Sequence, residues 1–312
     1  MGGWAEIVEQ IRADNVSGAM ELCLKAAEAV EAWASAARPE GALRELASLC
    51  AALVEAKPEM ASILNLANFV LLRAERCGRP EEVLREAAEA AREFARRAGE
   101  NTRRAGSNAA CLLPEGARVL THSSSAAVLD ALREAKGKVA EVLCTESRPM
   151  LEGVSLARRL VSEGLKATVV ADALAPFLVR QVDAVLVGAD CVRAEGVVNK
   201  AGTLALALAA RHFGRPIYVV CGSEKFLPPA LSLGEFRERP KPPEELLPEP
   251  APGVRALNLY FDLAPLDLFA AVVTEEGPLG PADVRRKLEG APVARTLPRV
   301  LAQAGPARNK GD

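Results

Sequence analysis

Apolar residues recur every three or four positions over Ala5–Ile11, Ala19–Trp33, Leu43–Val54, Met60–Leu72 and Val83–Ala98, the spacing of one helix face. Pro39, Pro58 and Pro80 each stand near the start of a new helical run, where a missing N–H is tolerated. The residues between are rich in Ala, Glu and Arg, which suits solvated faces. Residues 1–112 are therefore expected to form a helical N-terminal domain.

The pattern changes near Pro114. Short β-branched runs at Arg118–Thr121, Val139–Cys144, Ala167–Ala171, Ala184–Gly188, Ile217–Cys221 and Ala270–Val273 predict strands. Ser125–Lys136, Val154–Glu163, Leu174–Arg180 and Thr203–Phe213 predict helices between them. Such alternation predicts an α/β domain over residues 113–303, with a Rossmann-like, doubly wound and mainly parallel sheet. Glu238–Gly253, rich in proline and acid, reads as a linker or surface excursion. Residues 304–312 read as a flexible tail.

Half of the 312 residues are apolar and only 4% aromatic, so Leu, Val and Ala must fill the core. A net charge of -2 gives no footprint for nucleic acid, while a small phosphorylated ligand needs only local positive charge. The first residues lack a secretory pattern, and no run approaches the roughly 20 apolar residues of a membrane span. A cytoplasmic protein without membrane or nucleic-acid partners is expected. Seven cysteines occur without a CxxC pair, and there are two histidines, so reduced thiols and no metal site are expected. Without a Walker loop, or a GxGxxG in the first strand–helix turn, nucleotide hydrolysis and dinucleotide redox chemistry are disfavoured, and no cofactor is expected.

Ligands of doubly wound sheets bind beyond the carboxyl ends of the strands, and four predicted strands end in polar clusters. The first ends in Thr121-His122-Ser123-Ser124-Ser125. These serines can cap the following helix, their commoner use, or help cradle a phosphate, with Ser123 the candidate contact. His122 reads as a structural residue rather than a base. The second cluster, Cys144-Thr145-Glu146-Ser147-Arg148-Pro149, offers a thiol and a guanidinium that can fork onto phosphate oxygens. A buried packing Cys beside a Glu146–Arg148 ion pair is the plainer alternative. The fourth strand leads to Gly188-Ala189-Asp190, followed by Asn199-Lys200-Ala201-Gly202-Thr203 and a helix start whose free N–H groups would suit an anion. Asp190 can equally be a turn or helix cap. The fifth ends in Cys221-Gly222-Ser223-Glu224-Lys225, with Lys225 a phosphate contact or a surface cation. Together these put a thiol, a carboxylate and several cations on one rim, a set suited to acid–base chemistry on a phosphorylated small molecule.

These segments resemble one superfamily, which joins ribose-1,5-bisphosphate isomerases, methylthioribose-1-phosphate isomerases and the alpha, beta and delta regulatory subunits of translation initiation factor 2B. The resemblance is carried by Leu143-Cys-Thr-Glu-Ser-Arg-Pro149 with Glu152-Gly153, Val187-Gly-Ala-Asp190, Val198-Asn-Lys-Ala-Gly-Thr203, and Phe261-Asp262 with Val273-Thr-Glu-Glu-Gly277. It spans nearly all of residues 105–290. Cys144 and Asp190 together resemble the isomerases; the initiation-factor subunits usually lack the Cys and carry Glu for the Asp. The resemblance implies Cys144 as acid, Asp190 as base, and Arg148, Asn199 and Lys200 as contacts to a phosphorylated pentose. It also implies a place in nucleotide salvage, no cofactor, and a homodimer or larger homo-oligomer of dimers. Two phosphate-holding segments depart from the pattern. Val16-Ser-Gly-Ala19, with Gly18, lacks the family's Arg, and Lys57-Pro58-Glu59 stands for Arg-Pro-Thr. Lys57 cannot supply the bidentate fork of Arg. Methylthioribose-1-phosphate isomerase and a non-catalytic regulatory subunit are the alternatives that the resemblance leaves open.

Overall fold

The computed structural model describes residues 3–304 except 233–235, 237 and 250. The expected tail beyond Ala304 lies outside the described residues. The chain divides into two compact units. One comprises Met1–Gly99, Glu224–Ser232 and Lys287–Asp312, and the other Glu100–Ser223 and Leu233–Arg286. The division expected at residue 112 coincides instead with the change of element type, since the first strand begins at Ala117.

The helical unit contains α1 (Gly3–Ala13), α2 (Ala19–Ala36), α3 (Ala42–Ala56), α4 (Ala61–Ala74) and the start of α5 (Pro80–Ala110). Its core is formed by Ile11, Leu22, Trp33, Leu46, Leu49, Leu53, Ile63, Leu66 and Leu71, all buried. Two later segments join it. Asn68 donates to the Pro292 carbonyl (2.9 Å) and accepts from the Ala294 N–H (2.8 Å). The Glu75 carboxylate accepts from the N–H groups of Arg295 and Thr296 (3.0 and 2.7 Å), capping α11 (Thr296–Ala304). Asn65 holds the Glu224 and Phe226 carbonyls, each at 2.8 Å.

The α/β unit carries a seven-stranded sheet in the order β10-β9-β7-β4-β1-β2-β3. These strands are β1 (Ala117–His122), β2 (Val139–Thr145), β3 (Ala167–Val170), β4 (Ala184–Val187), β7 (Ile217–Val220), β9 (Ala271–Thr274) and β10 (Gly277–Leu279). All neighbours are parallel except β9 and β10. The helices between them are α6 (Ala126–Glu134), α7 (Glu152–Ser162), α8 (Ala175–Leu178) and α9 (Thr203–Phe213), and α10 (Pro281–Glu289) follows β10. On one sheet face Val119, Val142, Cys144 and Leu186 pack with Val128 and Leu132 of α6 and Leu156 and Leu160 of α7. The inner strands are apolar on both faces, as covered parallel sheets require. The chain runs β1-β2-β3 to one side and returns through β4, β7 and β9 on the other. Order reverses between β1 and β4, so the ligand crevice of such a fold lies beyond their carboxyl ends.

Three differences from the sequence reading stand out. The Val83–Ala98 helix runs on to Ala110, because Thr102, Ala105 and Ala109 continue the buried stripe with small side chains. An antiparallel sheet of β5 (Cys191–Val192), β6 (Gly196–Lys200) and β8 (Phe261–Pro265) was not expected. Its strands are only two to five residues long, too short for a period of two to register. The excursion from Glu238 is fastened rather than loose: the Glu238 carboxylate accepts from the N–H groups of Tyr260 and Phe261, both at 2.7 Å. Among the described residues no helix is long and apolar enough to cross a membrane.

Candidate functional site

The sheet register sets the spacing of the candidate pair. Thr121 lies beside Cys144 on one side and Leu186 on the other, so β2 and β4 are two strand spacings apart, about 10 Å. Cys144 is fully buried, and burial pushes its thiol up to about 12. At neutral pH it is a protonated thiol, able to donate a proton rather than attack as a thiolate. Asp190 follows β4 by three residues and is half-buried, and its N–H donates to the Val198 carbonyl (2.9 Å) where β5 and β6 begin to pair.

Ser123 adopts a left-handed conformation (φ 65°), and its N–H donates to Ser147 Oγ (2.8 Å). Ser125 caps α6 by accepting from the Val128 N–H, so capping is the observed use of that serine. Beyond β2, the N–H groups of Ser147 and Arg148 donate to the two carboxylate oxygens of Asp172, each at 2.7 Å. Arg148 is exposed and its Nη2 donates to the Glu245 carbonyl (3.3 Å); its charge faces no carboxylate at that contact.

Lys200 is buried and ion-paired with Glu152, the first residue of α7, at 2.6 Å. Its ammonium also lies 4.9 Å from the centre of the Tyr260 ring, a cation–π contact. The Tyr260 hydroxyl donates to Glu245 (2.6 Å). Asn199 is buried and its Nδ2 donates to Thr203 Oγ1 (2.9 Å), which donates to the Lys200 carbonyl (2.7 Å). The expectation of free N–H groups at the start of α9 is corrected here. The N–H groups of Gly202 and Leu204 donate to the Asp262 carboxylate (2.8 and 3.1 Å). Burial raises the pKa of Asp262 despite these two bonds.

Gly18, Lys57 and Lys225 belong to the helical unit. Gly18 is the N-cap position of α2. In the same loop the N–H groups of Val16 and Ser17 donate to Asp14 Oδ1 (3.1 and 2.8 Å). Burial alone would raise the pKa of Asp14, but Lys25 at 2.7 Å and these N–H groups hold it well below the carboxylate range. Lys57 is buried and donates to Asn15 Oδ1 (3.0 Å). Lys225 is buried, not a surface cation, and its Nζ lies 3.5 Å from Ser62 Oγ, which itself reaches the Ala19 carbonyl at 3.5 Å. These contacts gather the three residues around the starts of α2 and α4.

The strand ends thus carry a neutral thiol buried in the core cluster, a half-buried carboxylate and an exposed guanidinium, plus an ammonium already paired. Among the described residues no group of three His, Cys, Asp or Glu side chains could hold a metal ion. The sequence reading missed Asp172, Tyr260 and Glu245. Asp172 directly follows the predicted third strand and was findable as a strand-end carboxylate. Tyr260 and Glu245 gave no signal, because the contacts joining them run between segments without regular periodicity.

Residues 15–281 match the Initiation factor 2 subunit family. The chain is 32% identical over 286 residues to a ribose 1,5-bisphosphate isomerase of Archaeoglobus fulgidus, covering 88% of this chain and 89% of that one. It is 36% identical over 284 residues to an eIF-2B subunit 2-like protein of Pyrococcus abyssi, covering 87% and 94%. The crystal structure of a Pyrococcus horikoshii OT3 translation initiation factor eIF-2B superposes with a TM-score of 0.79 at 33% identity, covering 89% of this chain and 97% of that one. With the match spanning most of its length, the chain belongs to the Initiation factor 2 subunit family, whose members include sugar-phosphate isomerases.

Proposed function

We propose that the protein is an aldose–ketose isomerase that converts ribose 1,5-bisphosphate to ribulose 1,5-bisphosphate. The observation that carries this reading is the buried, protonated Cys144 at the end of β2, with Asp190 just beyond β4, on the two sides of β1 where strand order reverses. An aldose 1-phosphate cannot open its ring unaided, because its anomeric oxygen is esterified. The Cys144 thiol gives its proton to the ring oxygen as the C1–O bond breaks. Asp190 takes the C2 proton, and the C–H electron pair forms a C1=C2 double bond. The resulting phosphoenol becomes the ketone when the O2 proton leaves and C1 gains a proton. A hydride shift from C2 to C1 reaches the same product. A thiol raised by burial suits the first step, since a thiolate has no proton to give. Arg148, Lys200, Asn199 and the Ser123 loop would hold the sugar phosphate.

The second reading is a regulatory subunit that binds a sugar phosphate or nucleotide without turnover. Two observations favour it: the Val16–Ala19 loop presents its N–H groups to Asp14, and the relative from P. abyssi is eIF-2B subunit 2-like. Product formation from ribose 1,5-bisphosphate, followed by NMR with methylthioribose 1-phosphate in parallel, separates the readings. Conversion of the bisphosphate, lost in Cys144→Ser, supports the isomerase. Pure, folded protein that converts neither sugar overturns it.

A further inference from the structure

His122 plays no part in the proton transfers above, yet it is 2% exposed and both its ring nitrogens are committed. Nε2 lies 2.9 Å from the Ala201 carbonyl, and Nδ1 lies 2.7 Å from Thr145 Oγ1. A carbonyl oxygen only accepts, so Nε2 carries the hydrogen. In the neutral ring Nδ1 is then an acceptor, and the Thr145 hydroxyl donates to it. That fixes the rest of the chain. Thr145 Oγ1 accepts from the Ser147 hydroxyl (2.9 Å), and Ser147 Oγ accepts from the Ser123 N–H (2.8 Å). A Cβ at Gly202 (φ +115°) would stand 2.9 Å from Nε2, so glycine there lets the loop close over the ring.

The sequence neighbours of these groups are the candidate site residues. Ser123 follows His122, Cys144 precedes Thr145, Arg148 follows Ser147, and Lys200 precedes Ala201. One side chain therefore ties the end of β1, the end of β2 with its loop, and the turn after β6. With both nitrogens occupied and the ring buried, His122 offers no lone pair to a substrate, so it is not a general base. We propose that His122 is the positioning residue of the site: a neutral imidazole that sets the end of β1 with Ser123, the end of β2 and its loop with Cys144 and Arg148, and the end of β6 with Lys200. Its effect on turnover rests on the isomerase reading; its hold on the loops does not.

The test separates the two. His122→Gln keeps a donor near the Nε2 position and removes the acceptor at Nδ1; His122→Asn does the reverse; Thr145→Val keeps the strand-forming shape and removes the hydroxyl. Amide hydrogen exchange in the full-length protein should rise at least tenfold at Ser123, Ser147 and Arg148 in His122→Gln and Thr145→Val. In His122→Asn it should rise instead over residues 201–204. Unchanged exchange in these loops, in variants that fold, overturns the proposal. If one His122 variant fails to fold, Thr145→Val still decides. On ribose 1,5-bisphosphate, kcat should fall at least tenfold in each variant, and the double variant His122→Gln/Thr145→Val should lose no more than the worse single one. Losses that multiply would show independent damage and sink the positioning role. No turnover by the wild type refutes the isomerase reading alone, and the exchange pattern still judges His122.

Discussion

Neutralising Glu152 should destabilise the protein more than neutralising its partner Lys200. The ammonium is the more deeply placed end, with 4% side-chain exposure against 21% for the carboxylate, at a separation of 2.6 Å. Removing one member of a buried pair leaves an uncompensated charge at a cost of about 3–5 kcal/mol. In Glu152→Gln the ammonium stays buried; the amide oxygen and the Tyr260 ring at 4.9 Å recover part of the loss, since a cation–π contact contributes about 1–2 kcal/mol when desolvated. A net cost of about 3 kcal/mol follows. In Lys200→Met the side chain left behind is the more exposed of the two and sits at the first turn of α7, where the helix dipole favours its charge by about 0.3–1 kcal/mol, although its Oε2 is buried. That variant should lose only about 1–2 kcal/mol. At about 2–4 °C per kcal/mol for a domain of this size, Tm should fall by about 6–12 °C in Glu152→Gln and about 2–8 °C in Lys200→Met. The double variant Glu152→Leu/Lys200→Met should lie within about 1 kcal/mol of the wild type, because no charge is left stranded. Thermal and urea unfolding followed by circular dichroism would measure all three. If Glu152→Gln proves no less stable than Lys200→Met, the ion pair is not the buried, asymmetric pair described.

Cys144→Ser and Asp190→Asn should each lower kcat on ribose 1,5-bisphosphate by a factor of about 100 or more with circular dichroism unchanged; near-wild-type rates in either would remove that residue from its role. Cys23, Cys50 and Cys144 are all raised by burial to about 12 from an ordinary 9.0. The folded state therefore holds their protons where the unfolded state releases them. Their contribution to stability is complete below pH 9 and is lost as pH rises from 9 towards 12, so the urea midpoint should drop across that window. In the native state an alkylating reagent should modify exposed Cys111 first and half-buried Cys77 next; early modification of Cys144, read by mass spectrometry, would contradict its burial. The protein should sediment as a dimer or larger assembly, and a monomer mass independent of concentration would exclude this.

Much of the fold was legible because its signals are local. The strands at Val139–Thr145 and Ala184–Val187 are apolar runs, and the reversal between β1 and β4 places their polar ends on one crevice. The antiparallel sheet of β5, β6 and β8 was hidden because Cys191–Val192 pairs two residues and Phe261 returns from about 60 positions away. The helices α10 and α11 were hidden by their shortness: each has nine residues, and among the described side chains only Val284 and Leu288 in the first, and Leu297 and Leu301 in the second, are large and buried.

The residue types of the candidate site stand in the sequence, but their charge balance does not. Counting free N–H groups and cations from the sequence suggests strongly positive phosphate cradles. Instead, Asp172 accepts from Ser147 and Arg148, Asp262 from Gly202 and Leu204, Asp14 from Val16 and Ser17, and Glu152 pairs with Lys200. Backbone N–H groups and ammonium groups drawn out of water need acceptors whether or not a ligand is present, and these four carboxylates supply them. A phosphate at any of these places must therefore compete with a built-in acid or bind where charge is still available. Arg148, exposed and held by the Glu245 carbonyl, is such a place: a carbonyl satisfies a guanidinium N–H without neutralising its charge. Binding of a phosphorylated sugar should then depend more on Arg148 than on Lys200, an order opposite to the one that burial alone suggests.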